Sequence, residues 1–276
     1  MEETRQQNRS GMVQGVLVAL LVVASFAIGS LYTKVQYLEK AGSVAGRGTP
    51  TVAGAGTAGT TPTPTPPVVS LENVKDVFGK ALVTFGDAGR KIVFLEVADP
   101  SCPYCHIAAG KNGELNKQAG DRFTLVSDGG TYVAPVPEMK KLVDAGNAAF
   151  AWIYTPGHGN GEMGTKALYC AFEKGKFWEV HDLLMTSAGY DLLNNTVKND
   201  KTKSGGIADF LKDVFDAGQM KNCLDSGKYD SRLGEDVTLA SSVGVSGTPG
   251  FFINETKFAG AYSWKDMESV ATAALK

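Results

Sequence analysis

The chain has 276 residues, 43% of them hydrophobic and 20% charged, which fits a globular protein and excludes a wholly disordered or collagen-like one. With 27 Lys and Arg against 29 Asp and Glu, the net charge of −2 shows no basic excess, so no nucleic-acid partner is expected. Three unlike segments stand behind these averages.

The first is apolar. No charged residue lies between Arg9 and Lys34, and Gly11 to Thr33 is mostly Val, Leu, Ala, Ile and Phe, interrupted by Gln14. A helix over residues 11–33 would span about 34 Å, enough for a hydrocarbon core of about 30 Å. A cleaved signal peptide is the rival, with Ser25-Phe26-Ala27 as its site, but the apolar run continues past that point. Residues 1–34 are therefore predicted to be a cytoplasmic tip and an uncleaved, single-pass anchor in the cell membrane. Arg5 and Arg9 before the span and Lys34 and Lys40 after it do not orient it. The cysteines place the bulk of the chain on the extracytoplasmic side.

Residues 35–67 change in kind. Gly, Ala and Thr give way to Thr-Pro-Thr-Pro-Thr-Pro-Pro from Thr61 to Pro67, too little apolar surface to offset ordering entropy. The segment reads as a flexible to extended linker.

Residues 68–276 can build one sizeable core. Ser70 caps a predicted helix carrying Leu71, Val74, Phe78 and Leu82 on one face. Lys91 to Val97 is a short branched run before Asp99-Pro100 and reads as a buried strand; Ala148 to Tyr154, closed by Pro156-Gly157, reads as another. Arg122 to Ser127 resembles an extra strand, and Val133 to Pro137 leads into a short helix through Met139, Leu142 and Val143. Helical spacing recurs over Met163–Phe172, Phe177–Met185, Ile207–Phe215 and Tyr229–Val243. Gly250 to Asn254 and Lys257 to Gly260 form a terminal hairpin. Ser263 then caps a last helix, with Asp266 at the capping-box position and Met267, Val270 and Ala274 inward. Strands at both ends with helices between predict an α/β domain with a helical insertion over about 157–228.

The chemistry lies in Glu96-Val-Ala-Asp-Pro-Ser-Cys102-Pro-Tyr-Cys105-His106, a C-x-x-C that follows a strand and opens a helix. Cys102 falls at the N-cap, where unpaired N–H groups favour a thiolate, and Pro103 at the first helical position, where its missing N–H is harmless. A permanent disulfide or half of a zinc site is the bland alternative. Zinc would need two more ligands, and no second C-x-x-C or H-x-x-H exists, so no metal site is assigned. Copper carriage by Cys102, Cys105 and His106 stays open.

Three stretches in order carry a family likeness: Cys102-Pro-Tyr-Cys105 after an apolar strand, Cys170-Ala-Phe-Glu-Lys-Gly-Lys-Phe-Trp-Glu-Val-His-Asp182, and Gly247-Thr-Pro249-Gly-Phe-Phe-Ile-Asn254. Together they resemble the DsbA-like thiol–disulfide oxidoreductases of the thioredoxin superfamily. The resemblance runs from about Gly86 to the C-terminus. It implies a thioredoxin-like fold interrupted by a helical insertion, working without a cofactor on unfolded or reduced extracytoplasmic proteins and recycled by a membrane redox partner. It makes Cys102 the nucleophile and Cys105 the resolving thiol. It makes Pro249 a cis-proline beside the pair, with the Thr248 backbone free to pair with substrate; the residues alone suggest an ordinary turn there. Glu96 occupies the position of a buried acid that relays the Cys105 proton, where a strand-end Glu facing solvent is the alternative. Tyr104 and Pro103 would meet substrate. His106 reads as a solvated helix residue, and His158 and His181 as structural. Cys170 and Cys223 are expected to pair, since two free thiols are hazardous in an oxidising compartment.

The expected function is thus a membrane-anchored oxidoreductase donating the Cys102–Cys105 disulfide. An isomerase or reductase using the same residues is one alternative; a non-enzymatic copper carrier or holdase is another.

Overall fold

A computed structural model of the chain describes residues 69–276. Its centre is a five-stranded sheet in the order β1-β3-β2-β4-β5. The strands are β1 (Val83–Phe85), β2 (Ile92–Ala98), β3 (Ala148–Tyr154), β4 (Gly250–Ile253) and β5 (Thr256–Ala259). β2 runs parallel to β3, while β1 on β3, β4 on β2 and β5 on β4 are antiparallel. The two central strands, β2 and β3, are buried along their whole length. That is why both read as continuous apolar runs rather than alternating ones.

Each face of the sheet has its own cover. Val93, Leu95 and Val97 of β2 join Ala149, Ala151 and Ile153 of β3 against α1 (Leu71–Lys80), together with Ala240 and Val243 from the end of a long helix, Asp230–Ser242. The other face carries Phe94 and Ala98 of β2, Phe150, Trp152 and Tyr154 of β3, and Phe251 and Ile253 of β4. α2 (Pro103–Ala109) and the helices that follow β3 pack there. Alternation along β2 places Glu96 on this second face, and its register partners are Trp152 and Phe251, both fully buried.

Between β3 and β4 the chain leaves the sheet for a run of helices: Glu162–Phe172, Phe177–Leu184, Ser187–Asp191, Ser204–Phe210, Ala217–Asp225 and Asp230–Ser242. Cys170 and Cys223 join the first and fifth of these through a disulfide. The pairing expected from the sequence is thus formed, with a sequence separation of 53. The chain closes with the β4–β5 hairpin and the helix Trp264–Leu275.

Several expectations need correction. No helix among the described residues is long and apolar enough to cross a membrane. Residues 11–33, on which the expected anchor rested, lie outside the described residues, as does the linker over 35–67. The described residues therefore form a thioredoxin-like fold with a helical insertion, and no anchoring helix is found among them. The expected bilayer contact, the signal-anchor reading and the single-pass location in the cell membrane are withdrawn with it. Arg122 to Ser127 is not a strand: it forms two short 3-10 turns, Asp121–Phe123 and Val126–Asp128, closed on themselves by an isolated bridge between Leu125 and Tyr132, neither of which belongs to the sheet. Gly129 and Gly130 follow at once; a Cβ on Gly130 would lie 2.1 Å from Thr124 O, so the chain folds back tightly instead of extending. The predicted helix over Ile207–Phe215 stops at Phe210 and continues as turns. Ser263 flanks the last helix without a side-chain cap, because its Oγ accepts from Val133 N at 3.1 Å instead.

Candidate active site

β2 delivers the chain to the site and α2 carries it away. Cys102 is the N-cap of α2 in extended conformation, with Pro103 as its first residue. The N–H groups of Cys105 and His106 both donate to Cys102 O, at 3.0 and 3.2 Å. Cys102 Sγ lies 3.4 Å from Thr248 O, and the Thr248–Pro249 bond is cis. Sequence positions 102 and 248–249 are thereby brought face to face, as the resemblance implied.

The two sulfurs are unlike. The Cys105 thiol donates to Cys102, which together with Thr248 and the backbone N–H groups at the helix start outweighs burial and lowers the Cys102 thiol from 9 to about 6. Cys105 lies one turn inward, 1% exposed, where burial first and the neighbouring sulfur second raise it well above the ordinary range. Glu96 adds to this, lying on the sheet face beneath the pair. It is not a solvent-facing strand end: it is 1% exposed, its Oε2 has no hydrogen-bond partner, and desolvation lifts its carboxyl from 4.5 to about 8.

Tyr104 is the exposed member of the motif, at 47%, with its ring 5.8 Å from that of Phe123. His106 departs from its expected place. It is fully buried, with Nδ1 2.9 Å from Met185 O and Nε2 2.8 Å from Pro100 O. Burial holds it neutral, with its pKa down at about 4. Both ring nitrogens thus face backbone carbonyls and neither is free to join the sulfurs around a metal. Among the described residues no group of three or more His, Cys, Asp and Glu side chains is arranged to hold a metal ion. His181 is buried on the Phe177–Leu184 helix, stacked on Phe177, and His158 is exposed on the loop after β3. Cys170 and Cys223, bonded to each other, belong to the insertion and do not join the site.

Sequence reasoning missed three residues at the turn before Cys102. Asp99 is fully buried and Ser101 N donates to its Oδ1 at 2.7 Å; Asn194 of the insertion donates from Nδ2 to Ser101 O at 3.1 Å. Asp99-Pro100 had signalled only the end of a strand, although Asp two residues before Ser101 is the spacing of an Asx turn. Asn194 gave no signal, since its partner lies 93 positions away.

Two openings flank the site. One, about 450 Å³, is lined by Phe123, Tyr132, Tyr262 and Asp266 among others; the second, about 330 Å³, includes Thr248, Pro249 and Lys257. They share Ala259 and Gly260.

Comparison with known proteins agrees with this arrangement. A family model described as Thioredoxin matches residues 136–272, a stretch that takes in the insertion and Pro249 and begins after the cysteine pair. Among solved structures, oxidised BdbD from Bacillus subtilis superposes with a TM-score of 0.52 at 15% identity, covering 75% of this chain and 95% of that one. Wolbachia pipientis alpha-DsbA1 gives 0.51 at 19%, covering 70% and 89%. Two curated relatives are named Na(+)/H(+) antiporters: NhaA 3 of Salinispora tropica, 25% identical over 194 residues, and NhaA 1 of Salinispora arenicola, 26% over 197. Each alignment takes in 69% of this chain, and the chain spans about a quarter (24%) of the length of these relatives. With a C-x-x-C at a helix start, a cis-proline opposite and an insertion between β3 and β4, the chain has a thioredoxin-like fold of the DsbA-like type.

Proposed function

We propose that the chain oxidises reduced or unfolded extracytoplasmic proteins through a Cys102–Cys105 disulfide. The observation that supports this best is the asymmetry of the two sulfurs, one held near 6 and the other pushed well above 9. A client thiolate attacks Cys102, forming a mixed disulfide and expelling Cys105. The leaving sulfur takes up a proton, which neutral Glu96 beneath it can supply. A second client thiolate then attacks the client sulfur of the mixed disulfide, and Cys102 departs as a stable thiolate. Two electrons pass from the client to the pair, and one disulfide forms for the one consumed. The Thr248 backbone, whose O lies 3.4 Å from Cys102 Sγ, is the partner offered to an extended client segment. Tyr104, with Phe123 and Tyr132 of the 3-10 region, supplies apolar wall, which gives residues 120–146 a place in substrate contact.

The Cys170–Cys223 bond supports an oxidising compartment. A copper carrier fits less well, since His106 is committed to Pro100 O and Met185 O.

The test is disulfide transfer to a reduced model protein together with the reduction potential of the pair. Cys102→Ser should abolish transfer, and the potential should lie nearer about −120 mV than about −270 mV. Transfer that survives the substitution refutes the mechanism; a potential near −270 mV refutes the direction.

A further inference from the structure

Asp99 is a buried carboxylate that takes no part in the steps above. We infer that Asp99 is a positioning residue of the redox site, tying the turn that presents Cys102 to the loop Thr155–Gly161 so that Gly157 is held against both the nucleophile and Thr248 of the cis-Pro249 segment. The inference rests on the reading of Cys102 as nucleophile.

Every polar atom of Asp99 is committed to one side of this joint or the other. Oδ1 accepts from Ser101 N and Ser101 Oγ, both at 2.7 Å. Oδ2 accepts from Gly157 N at 2.7 Å and His158 N at 2.9 Å. Its carbonyl accepts from Cys102 N at 2.9 Å, and its N–H points to Cys105 Sγ at 3.5 Å. Ser101 Oγ in turn accepts from Asn160 N at 3.1 Å. A carboxylate has the lone pairs to accept all four side-chain bonds; an amide in its place turns an NH2 toward two N–H groups.

The far side of the joint touches the chemistry. A Cβ on Gly157 would lie 1.7 Å from Thr248 Oγ1 and 3.3 Å from Cys102 Cβ, so the loop backbone sits against both reacting walls. A Cβ on Gly161 would lie 1.8 Å from Asp99 Oδ1. These two glycines are there for close approach, not for a left-handed backbone, because neither has a positive φ. Gly157 and His158 are themselves exposed, so the joint anchors a surface loop rather than core elements.

Asp236 shows what a fold-holding carboxylate looks like in the same molecule. It is also fully buried, but it bonds Tyr154 N at 3.0 Å, the Tyr169 hydroxyl at 2.5 Å and the Arg232 guanidinium, all on core elements. Asp236→Asn is therefore the matched control for loss of a buried carboxylate away from the sulfurs. Cys105, Glu96 and Tyr190 are the other titratable groups around Cys102, and both variants keep them.

The experiment compares Asp99→Asn and Asp236→Asn in the reduced protein. Alkylation of Cys102 by iodoacetamide is followed against pH, and amide hydrogen exchange is read at Gly157 and His158. Asp99→Asn should move the alkylation midpoint up by about one pH unit, a roughly five-fold slowing near pH 6, and release both amides. Asp236→Asn should lower the melting temperature and leave the midpoint in place. An unmoved midpoint in Asp99→Asn, or an equal shift in Asp236→Asn, overturns the inference. Should Asp99→Asn not fold, the unaltered protein decides: the two amides, although on exposed residues, should exchange at least about ten-fold slower than free peptide, and free exchange overturns the tether. Exchange reports the joint whatever Cys102 does, so failure of the proposed function is read separately.

Discussion

Glu96→Gln isolates the energetic consequence of a carboxyl with no compensating charge. Burial alone lifts Glu96 from 4.5 to about 8. Between these values the unfolded chain carries an ionised Glu96 and the folded chain a neutral one, so the folded state binds more protons. Stability therefore falls as pH rises through this window and levels off above about pH 8. A gap of 8 − 4.5, at about 1.4 kcal/mol per pH unit, gives roughly 5 kcal/mol lost between pH 4.5 and 8. The glutamine variant keeps the volume and the buried polar atoms but cannot ionise. Urea unfolding of the oxidised proteins is the assay, because a disulfide removes the cysteine titrations and every other group cancels in the comparison. At a slope of about 2 kcal/mol per molar urea, the variant's midpoint should gain roughly 2 M on the unaltered protein between pH 5 and pH 8.5. Parallel pH profiles would refute the desolvated Glu96 and, with it, the proton source assigned to Cys105.

Three further outcomes follow from the same geometry. Cys102 should alkylate with a midpoint near pH 6 rather than 9; because its folded value is depressed, the stability it lends the reduced form is present above about pH 9 and lost as pH falls through 6, which reduced-state melting curves check. His106, held near 4, stays neutral when folded while the unfolded chain protonates near 6.5, so it makes the fold weaker as pH falls from 6.5 to 4; His106→Ala should remove that slope and cost about 2–4 kcal/mol in urea by leaving a cavity and depriving one buried carbonyl of the single N–H that a neutral imidazole donates. Cys170→Ala with Cys223→Ala opens a loop of 53 residues and should cost about 4 kcal/mol, read as a lower thermal midpoint with alkylation of Cys102 unchanged.

What could be read from the sequence divides along a physical line. Elements whose pattern is local were legible: β2 and β3 as continuous apolar runs, the helix opened by Cys102-Pro103, the last hairpin. β1 escaped notice because three residues, Val83–Phe85, show no periodicity. The 3-10 turns at 121–128 read as a strand because Phe123 and Leu125 are apolar at alternate positions, yet these side chains join a small separate cluster with Ile107 and Tyr132 and not the sheet. Burial was the least legible quantity. Glu96 and His106 were each open to an exposed reading, and what covers them comes from elsewhere in the chain: Trp152 and Phe251 beside one, Met185 at the end of an insertion helix beside the other.

Burial also underlies the direction proposed for the chemistry. The motif Cys102-Pro-Tyr-Cys105 sets a helix start and a spacing, and oxidases and reductases share both. What separates them is how far the reduced form is favoured over the disulfide. Here Cys102 gains a thiol donor and backbone N–H groups only once the disulfide is open, and the fall from 9 to about 6 corresponds to roughly 4 kcal/mol in favour of the reduced pair above pH 9. At about 30 mV per 1.4 kcal/mol, that makes the disulfide roughly 90 mV more oxidising than one between ordinary thiols in the same setting. The donors exist because Cys105 is held protonated in the core over a neutral acid, and the helix start is held in register by the turn at Asp99. The oxidising direction proposed for the pair therefore rests on the packing around the motif, and substitutions at Glu96 or Asp99 should alter the reduction potential while every residue of the motif stays in place.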